Sequence, residues 1–292
     1  MRGETGGGGM AQAYRIGALW IGGALSYLEQ LCLKSFVDAG HEVILYHYEG
    51  VTNAPPGVVL ADAGTILPQT GFLRHERTGS PALHSDLFRY HLLARCERMI
   101  WADTDAYCVR PFFTQTGHFH AWESESGING GVLGLPATCA TLTGLLDFTA
   151  DPFAIPSWYG PDYQARLQGL KAAGTPMAAG EMPWGVWGPH ALTHFLKETG
   201  EVRHTMPQAA LYPVPYEDRN LMLRPGADLS ALVTAETFSI HFFGRRMRSR
   251  ILLRENGVPR PRSLIGKLLK KHGVDPLAAP IPGQPLPEDM AE

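Results

Sequence analysis

The sequence predicts an α/β protein with a mainly parallel sheet flanked by helices, and three observations carry that prediction. Near the start, a strand (YRIGALW, 14–20), an amphipathic helix (about 26–39) and a second strand (HEVILYHY, 41–48) follow one another. Further along, a helix from Ser80 to about Cys96 leads into the apolar run Met99, Ile100, Trp101, Ala102, which reads as a buried strand. The chain has 292 residues, 45% apolar and 18% charged, enough to bury a substantial core in one large domain.

Each element has a local reason. Leu28, Leu31, Cys32, Phe36 and Val37 recur at helical spacing, and Gly40 stops that helix as a C-terminal glycine does. A β-α-β unit of this kind favours a right-handed crossover and places a ligand at the carboxyl ends of the strands, beside Trp20. Trp20 is equally explained as core packing. Between Val51 and Gly79 only short strand-like pieces occur, GVVLAD and GTILP.

Ser80 and Pro81 then open a helix, the serine as cap and the proline at the first helical position. Leu83, Leu87, Tyr90 and Ala94 form its predicted buried stripe, and Asp86 and Arg89, three apart, share a neighbouring face. The strand at Met99 to Ala102 ends abruptly in Asp103, Thr104 and Asp105, and the segment closes at Pro111. Carboxylates at the edge of a core lose hydration unless a cation or several donors meet them. In an extended strand the two acids would stand roughly 6.6 Å apart at about 3.3 Å per residue, too far for both to grip one ion without a turn. They therefore divide the work: one for a divalent ion, the other for a hydroxyl, the arrangement a diphosphate attached to a sugar requires. A bare DxD is also what a capped strand end looks like.

Together SDLFRY, the short spacer, the apolar strand ending in DTD and the closing Pro111 resemble the family 32 glycosyltransferases with a DxD sugar-binding region. These include α-1,4-galactosyltransferases, mannosyltransferases and bacterial capsular polysaccharide transferases. The resemblance implies a GT-A-like single domain with a mixed, mainly parallel sheet. It implies transfer of a sugar, with retention, from a UDP- or GDP-sugar to a carbohydrate or glycolipid acceptor, assisted by Mn²⁺ or Mg²⁺. Carried over residue by residue, Asp86 and Arg89 contact the nucleotide sugar, Asp103 touches sugar or ribose, and Asp105 binds the metal. The family usually has a Gly-Gly-aromatic segment before its DxD, where this chain has Glu97, Arg98, Met99, Ile100 and Trp101.

Later segments match in the same order. FHAWES reads as a strand, and in the following GINGGVLGLP Asn129 lies where the family places a sugar-contacting asparagine; Asn-Gly is also a strong turn signal without any ligand. Thr141 to Phe148 looks helical, and the next loop and helix offer Trp158, Tyr159 and Tyr163 as acceptor-facing rings or plain packing. Gly188 and Pro189 before a helix resemble the family's Gly-Pro segment, whose loop brings Trp184 and Glu181 near the donor; Glu181 is the carboxylate assigned to work near the anomeric carbon. In FSIHFF, His241 is either a core histidine or, as the family's late histidine-aromatic pair implies, a metal ligand beside Asp105.

Other classes are excluded or set aside. GxGxxG and GxxxxGK[ST] are both absent. A formal net charge of −3 gives no global case for nucleic acid, and no apolar run is long enough to span a membrane. Cys32, Cys96, Cys108 and Cys139 form no CxxC pair, which suits a reducing cytoplasmic setting, and Cys96, Cys108, His84 and His91 fit no common zinc spacing. Residues 1–12 read as a disordered leader with Met10 a candidate start, 13–245 as the transferase domain, and 246–292 as a basic segment with a disordered proline-rich tail from Asp275. That basic segment, Arg245 to Lys271, either closes over a diphosphate or touches anionic membrane. Two other classes stay open: a haloacid-dehalogenase-like magnesium phosphohydrolase and a nucleotide-sugar-binding protein without turnover.

Overall fold

The structure, a computed structural model, describes residues 14–68 and 71–287. The leader and Met10 lie outside the described residues, as does the end of the tail.

Strand β1 (Arg15–Trp20), helix α1 (Tyr27–Asp38) and strand β2 (Val43–His47) form the expected unit, with β1 and β2 parallel from Ile16↔Val43 to Trp20↔His47. Helix α1 starts where it does because Ser26 and Glu29 make a reciprocal cap: the Ser26 side chain accepts from Leu28 N–H, and Glu29 accepts from Ser26 N–H. Strand β3 (Val58–Asp62) adds an exposed edge beside β2. GTILP is not a strand, because Asp62 accepts from Gly64 N–H and winds residues 63–65 into a 3-10 turn.

Helix α2 (Ala82–Arg95) and strand β4 (Met99–Ala102) follow, β4 parallel to β1. The Ser80 hydroxyl accepts from Ala82 N–H without being the cap residue, which is Pro81. The buried face is wider than predicted: Phe88, Leu92 and Leu93 are fully buried while Leu87 and Ala94 are only half-buried. Helices cover α2 as well as the sheet beneath it, so its apolar stripe extends around both sides. Gly17 permits that packing, since a Cβ there would lie 2.6 Å from Leu92 Cδ2. Strand β5 (Ala106–Cys108) leaves the sheet, and β6 (Val132–Leu133) returns to pair antiparallel with β4. The sheet order is thus β3-β2-β1-β4-β6, parallel except for its last strand. FHAWES forms isolated bridges to Gly134, Ile128 and Met206 instead of a continuous strand.

Ile16, Ala18, Val43 and Leu45 face α1, whereas Leu19, Ile44, Tyr46 and Trp101 face α2, α3 (Ala140–Thr149) and α5 (Pro189–Glu198). Between the last two, α4 (Pro161–Ala172) buries only Leu167. Strand β7 (Ser239–His241) pairs antiparallel with β5 in a second, two-stranded sheet.

The chain beyond residue 245 belongs to this core. Helices α7 (Gly244–Arg254) and α8 (Leu264–His272) bury Met247, Ile251, Ile265 and Leu269 against Tyr27, Leu28 and Leu31 of α1, while α6 (Gln208–Leu211) lies against β7. The tail expected to be disordered from Asp275 is packed through Ile281. Ala279 and Ile281 are buried, and Ala279 O accepts from Tyr27 N–H at 2.7 Å. Two small apolar plugs and one buried acceptor outweigh the proline-rich composition. No helix among the described residues is long and apolar enough to cross a membrane.

Candidate active site

Arg89 is the centre of a cleft at the carboxyl end of the sheet. Helix α2 carries it one turn from Asp86, so Nη1 meets Asp86 Oδ1 at 3.3 Å, while Nη2 donates to Asp103 Oδ1, also at 3.3 Å. The side chains of Asp86 and Arg89 are 9% and 6% exposed, so this is a buried ion pair. Trp101, on the strand that ends at Asp103, adds a second donor: its Nε1–H reaches Asp103 Oδ1 at 2.7 Å, and its ring lies 5.2 Å from the guanidinium carbon. Burial pushes the Asp86 carboxyl up to about 6, against the pull of Arg89 and with the help of Asp103. Burial also raises Asp103, whose neighbours Arg89 and Asp105 act in opposite senses.

Glycines set the spacing around this clamp. A Cβ at Gly188 would stand 2.8 Å from the Asp86 carboxylate, and one at Gly130 would stand 2.5 Å from Arg89 Nη1. Gly188 therefore makes room for Asp86 and is not itself part of the cleft lining. Its backbone is anchored next door, where Tyr90 donates to Trp187 O at 2.7 Å.

The chain turns after Asp103, with Ala106 N–H donating to Asp103 O, and that turn separates the two acids' surroundings. Asp105 Oδ2 accepts from Gly244 N–H at 2.6 Å, at the first turn of α7. This contact depends on Phe243, held at φ +54° in the left-handed region that a bulky residue rarely enters. Asp105 Oδ1 and His241 Nδ1 are both buried, both without a hydrogen-bond partner among the described residues, and 3.5 Å apart. A carboxylate oxygen and an imidazole nitrogen left in this way fit a divalent cation such as Mn²⁺. The sequence-assigned pair Asp105 and His241 is thus brought together.

Two lobes meet at the clamp. A cavity of about 450 Å³ is lined by Trp20, Thr78, Ser85, Arg89, Asp103, Asp105, Arg245 and Arg248. A second, of about 640 Å³, is lined by Asp86, Arg89, Asp103, Asp105, Glu123, Asn129, Trp184 and His241, with Arg245 and Arg246 at its edge. Trp20, whose indole donates to Gly23 O, therefore faces the first lobe and is more than core packing. Asn129 reaches the second lobe, but its Oδ1 accepts from Gly131 N–H at 2.8 Å, so the turn and the site share this residue and its NH₂ group is what a ligand can take. Trp184 is 43% exposed and forms a wall of the same lobe, edge-on to His75.

Glu181 is not brought in. It is exposed, its Oε2 accepts from Ala178 N–H at 2.7 Å, and it stabilises its own 3-10 turn (Ala179–Glu181). Sequence proximity to Gly188 misled because the loop between them brings Trp184 to the cleft while the Glu181 carboxylate is turned back onto Ala178 N–H. Trp158, Tyr159 and Tyr163 also serve packing: Trp158 lies on Phe148, and Tyr159 OH meets His190 Nδ1 at 2.9 Å.

Glu123, Trp101 and Arg248 are site residues that sequence reasoning missed. Glu123 follows the bridged segment and is carried to the cleft by tertiary pairing alone. Trp101 looked like core. Arg248 was one basic residue in a long run; it pairs with the buried Glu29 at 2.6 Å, which ties α7 to the start of α1.

No family model matches the chain, and no curated protein matches its sequence. Among solved structures it is similar to a PaToxG glycosyltransferase, at 13% identity and a TM-score of 0.42, over 65% of this chain and 69% of that one. At that score the likeness defines neither the fold nor the activity of this chain.

Proposed function

We propose that this protein is a GT-A-like glycosyltransferase of the family 32 type, which transfers a sugar from a nucleotide diphosphate to a carbohydrate or glycolipid acceptor. The observation that carries the reading is the cleft itself: an Arg89 clamp between two acids, beside Asp105 and His241 with unpartnered atoms turned to each other. A haloacid-dehalogenase-like nucleophile motif wants threonine or valine two residues past its second acid, where this chain has Tyr107, a buried residue of β5.

In this reading Asp105 and His241 hold Mn²⁺ or Mg²⁺, which supplies charge neutralisation for a departing diphosphate. Arg245 lines the first lobe and brings positive charge there, beside Arg248, whose charge is balanced by Glu29. Cleft-facing arginines on α7 favour the donor-closing role of the basic segment over the lipid one. Asp103 and Asp86, fixed by Arg89, orient sugar hydroxyls so that the acceptor oxygen approaches along one line. Trp184 and Asn129 border the second lobe, which takes the sugar and acceptor. Glu123 takes the place assigned to Glu181 as the carboxylate facing that lobe. The family 32 resemblance implies retention, and with no residue announcing itself as a covalent nucleophile that outcome is read as attack from the leaving-group face, the diphosphate oxygen taking the acceptor proton.

Arg98 bears on the missing glycines before the DxD. It adopts φ +52°, the region glycine favours, with its guanidinium 4.7 Å from the Tyr14 ring centroid. The backbone shape that glycine allows elsewhere is thus reached here by an arginine held on an aromatic face.

The test is a thermal-shift panel of nucleoside diphosphates with and without manganese, followed by release assays on sugars of the preferred base. A manganese-dependent shift with UDP or GDP and nucleotide release from the matching sugar donor are expected. Equal shifts without manganese, or release that survives Asp105→Ala, would overturn the reading.

A further inference from the structure

On the far side of the sheet's antiparallel edge, three chain segments bring His118, Cys139 and Glu201 together, with donor atoms all within 4.8 Å of one another. The His118 side chain is 8% exposed, and its Nε2 lies 3.8 Å from Glu201 Oε2, beyond hydrogen-bond reach. Neither ring nitrogen of His118 has a hydrogen-bond partner among the described residues. His120, fully buried two residues on, also has neither nitrogen partnered. A buried polar group left in this state costs about 1–3 kcal/mol, and such groups seldom occur side by side without an unseen partner.

We propose that His118, Cys139 and Glu201 form a second metal site, separate from the cleft, for zinc or another late first-row divalent cation. Imidazole nitrogen, thiolate sulfur and carboxylate oxygen are the donor set such ions select, whereas magnesium prefers oxygen alone. Ligand atoms around tetrahedral zinc stand roughly 3.3–3.8 Å apart, so the observed cluster needs to close by about 1 Å. Three protein ligands leave a fourth position for water.

The surroundings already orient the ligands. Glu201 accepts from Ala140 and Thr141 N–H at 3.2 and 3.1 Å, across the start of α3. Burial opposes its charge, yet these bonds and those from Thr141 and Cys139 side chains hold its carboxyl below the usual range. Cys139 caps the same helix, its Sγ accepting from Leu142 N–H. Burial pushes its thiol up to about 12, so binding breaks the S–H bond, forms the metal–sulfur bond and releases the proton to solvent. His204 stacks on His118 at 4.2 Å between centroids and fixes the plane of the ring.

The site would act as a staple. His118 precedes Phe119, which bridges Gly134, and His120 O accepts from Met206 N–H. The segment pinned in this way ends at Glu123 in the cleft.

The test uses the full chain carrying Asp105→Ala, which removes the cleft's own carboxylate ligand, with Co²⁺ as a spectroscopic substitute for zinc. Expected are one equivalent bound, tetrahedral d–d absorption, and a thiolate-to-cobalt charge-transfer band that Cys139→Ser abolishes and Cys32→Ser keeps. Zinc alone should raise the melting temperature, with affinity weakened at least about tenfold in His118→Gln. Absence of the thiolate band before any change at Cys139 would overturn the proposal, as would its persistence in Cys139→Ser. If Cys139→Ser fails to fold, His118→Gln reads the same site, and unchanged cobalt affinity there sinks it.

Discussion

The Arg89 clamp and the His118 cluster are both polar groups buried beside the same sheet edge, yet they settle the cost of burial in opposite ways. In the clamp, one guanidinium serves two carboxylates and Trp101 shares the load at Asp103. Its partners are part of the chain, so the site is organised before any ligand arrives. In the His118 cluster, the ring nitrogens of His118 and His120 find no hydrogen-bond partner among the described residues. In the first arrangement both Arg89 Nη groups are engaged and only the buried Nε lacks a partner among the described residues; the second leaves a wider gap. Asp105 and His241 lie between these extremes, since one carboxylate oxygen is held by Gly244 and the other is not. A polar group with its partners inside the fold positions substrate, and one whose partner is missing indicates what must come from outside.

The largest expected effect tests the unpartnered side of that contrast. Asp105→Ala should lower transfer by about 10³-fold or more through loss of several kcal/mol of charge stabilisation. Its melting temperature without metal should fall by only a few degrees, because Oδ1 makes no hydrogen bond among the described residues and the one bond lost is that from Gly244 N–H to Oδ2. Nucleotide release and a thermal melt, read together, separate the two effects.

Arg89→Met tests the partnered side. It leaves two carboxylates buried without their cation, which should cost about 3–5 kcal/mol in urea unfolding in addition to activity. A variant with wild-type stability would show that Arg89 does not offset the burial of Asp86 and Asp103.

The pH dependence is next in size. Asp86 is raised in the folded state to about 6, above its value of about 3.9 in an unfolded chain. The folded protein therefore binds this proton more tightly. The stability it contributes is present in full below about pH 4 and lost as pH rises through 6, on the order of 2–3 kcal/mol. Asp103 is raised as well and acts in the same sense. Unfolding measured between pH 4 and 7 should show a shallower fall in Asp86→Asn than in the wild type.

The smallest effect concerns a residue the fold leaves outside. Glu181→Gln should change transfer by no more than a few-fold and stability by less than about 1 kcal/mol, since only one local turn bond is touched. A loss of 10²-fold in turnover would place Glu181 back in the cleft.

Much of the frame was legible in the sequence. The helical spacing of Leu28, Leu31, Cys32, Phe36 and Val37 marks α1, Gly40 ends it, and Met99 to Ala102 run as a core strand into two acids. Those signals depend on residues close together in the chain, and local physics decides them. Asp86 and Arg89 were readable for the same reason, since one helical turn sets their spacing. Where the inference failed, distance along the chain was the cause. Glu181 seemed near the donor because Gly188 follows it, and the proline-rich tail seemed disordered because nothing local shows Ala279 and Ile281 docking on α1.

The sequence by itself therefore determined the α/β order, the helix that carries Asp86 and Arg89, and the strand that delivers Asp103 and Asp105. Tertiary structure alone decided which later residues join them. His241 meets Asp105 because β7 pairs with β5, and Glu123 reaches the cleft because residues 119–122 bridge to Gly134, Ile128 and Met206. Cys139 and Glu201 meet His118 because the Glu201 carboxylate settles on the first turn of α3. Each of these contacts depends on chain closure over tens of residues, whose entropy is repaid by burial across the whole core and leaves no mark in any one stretch of sequence.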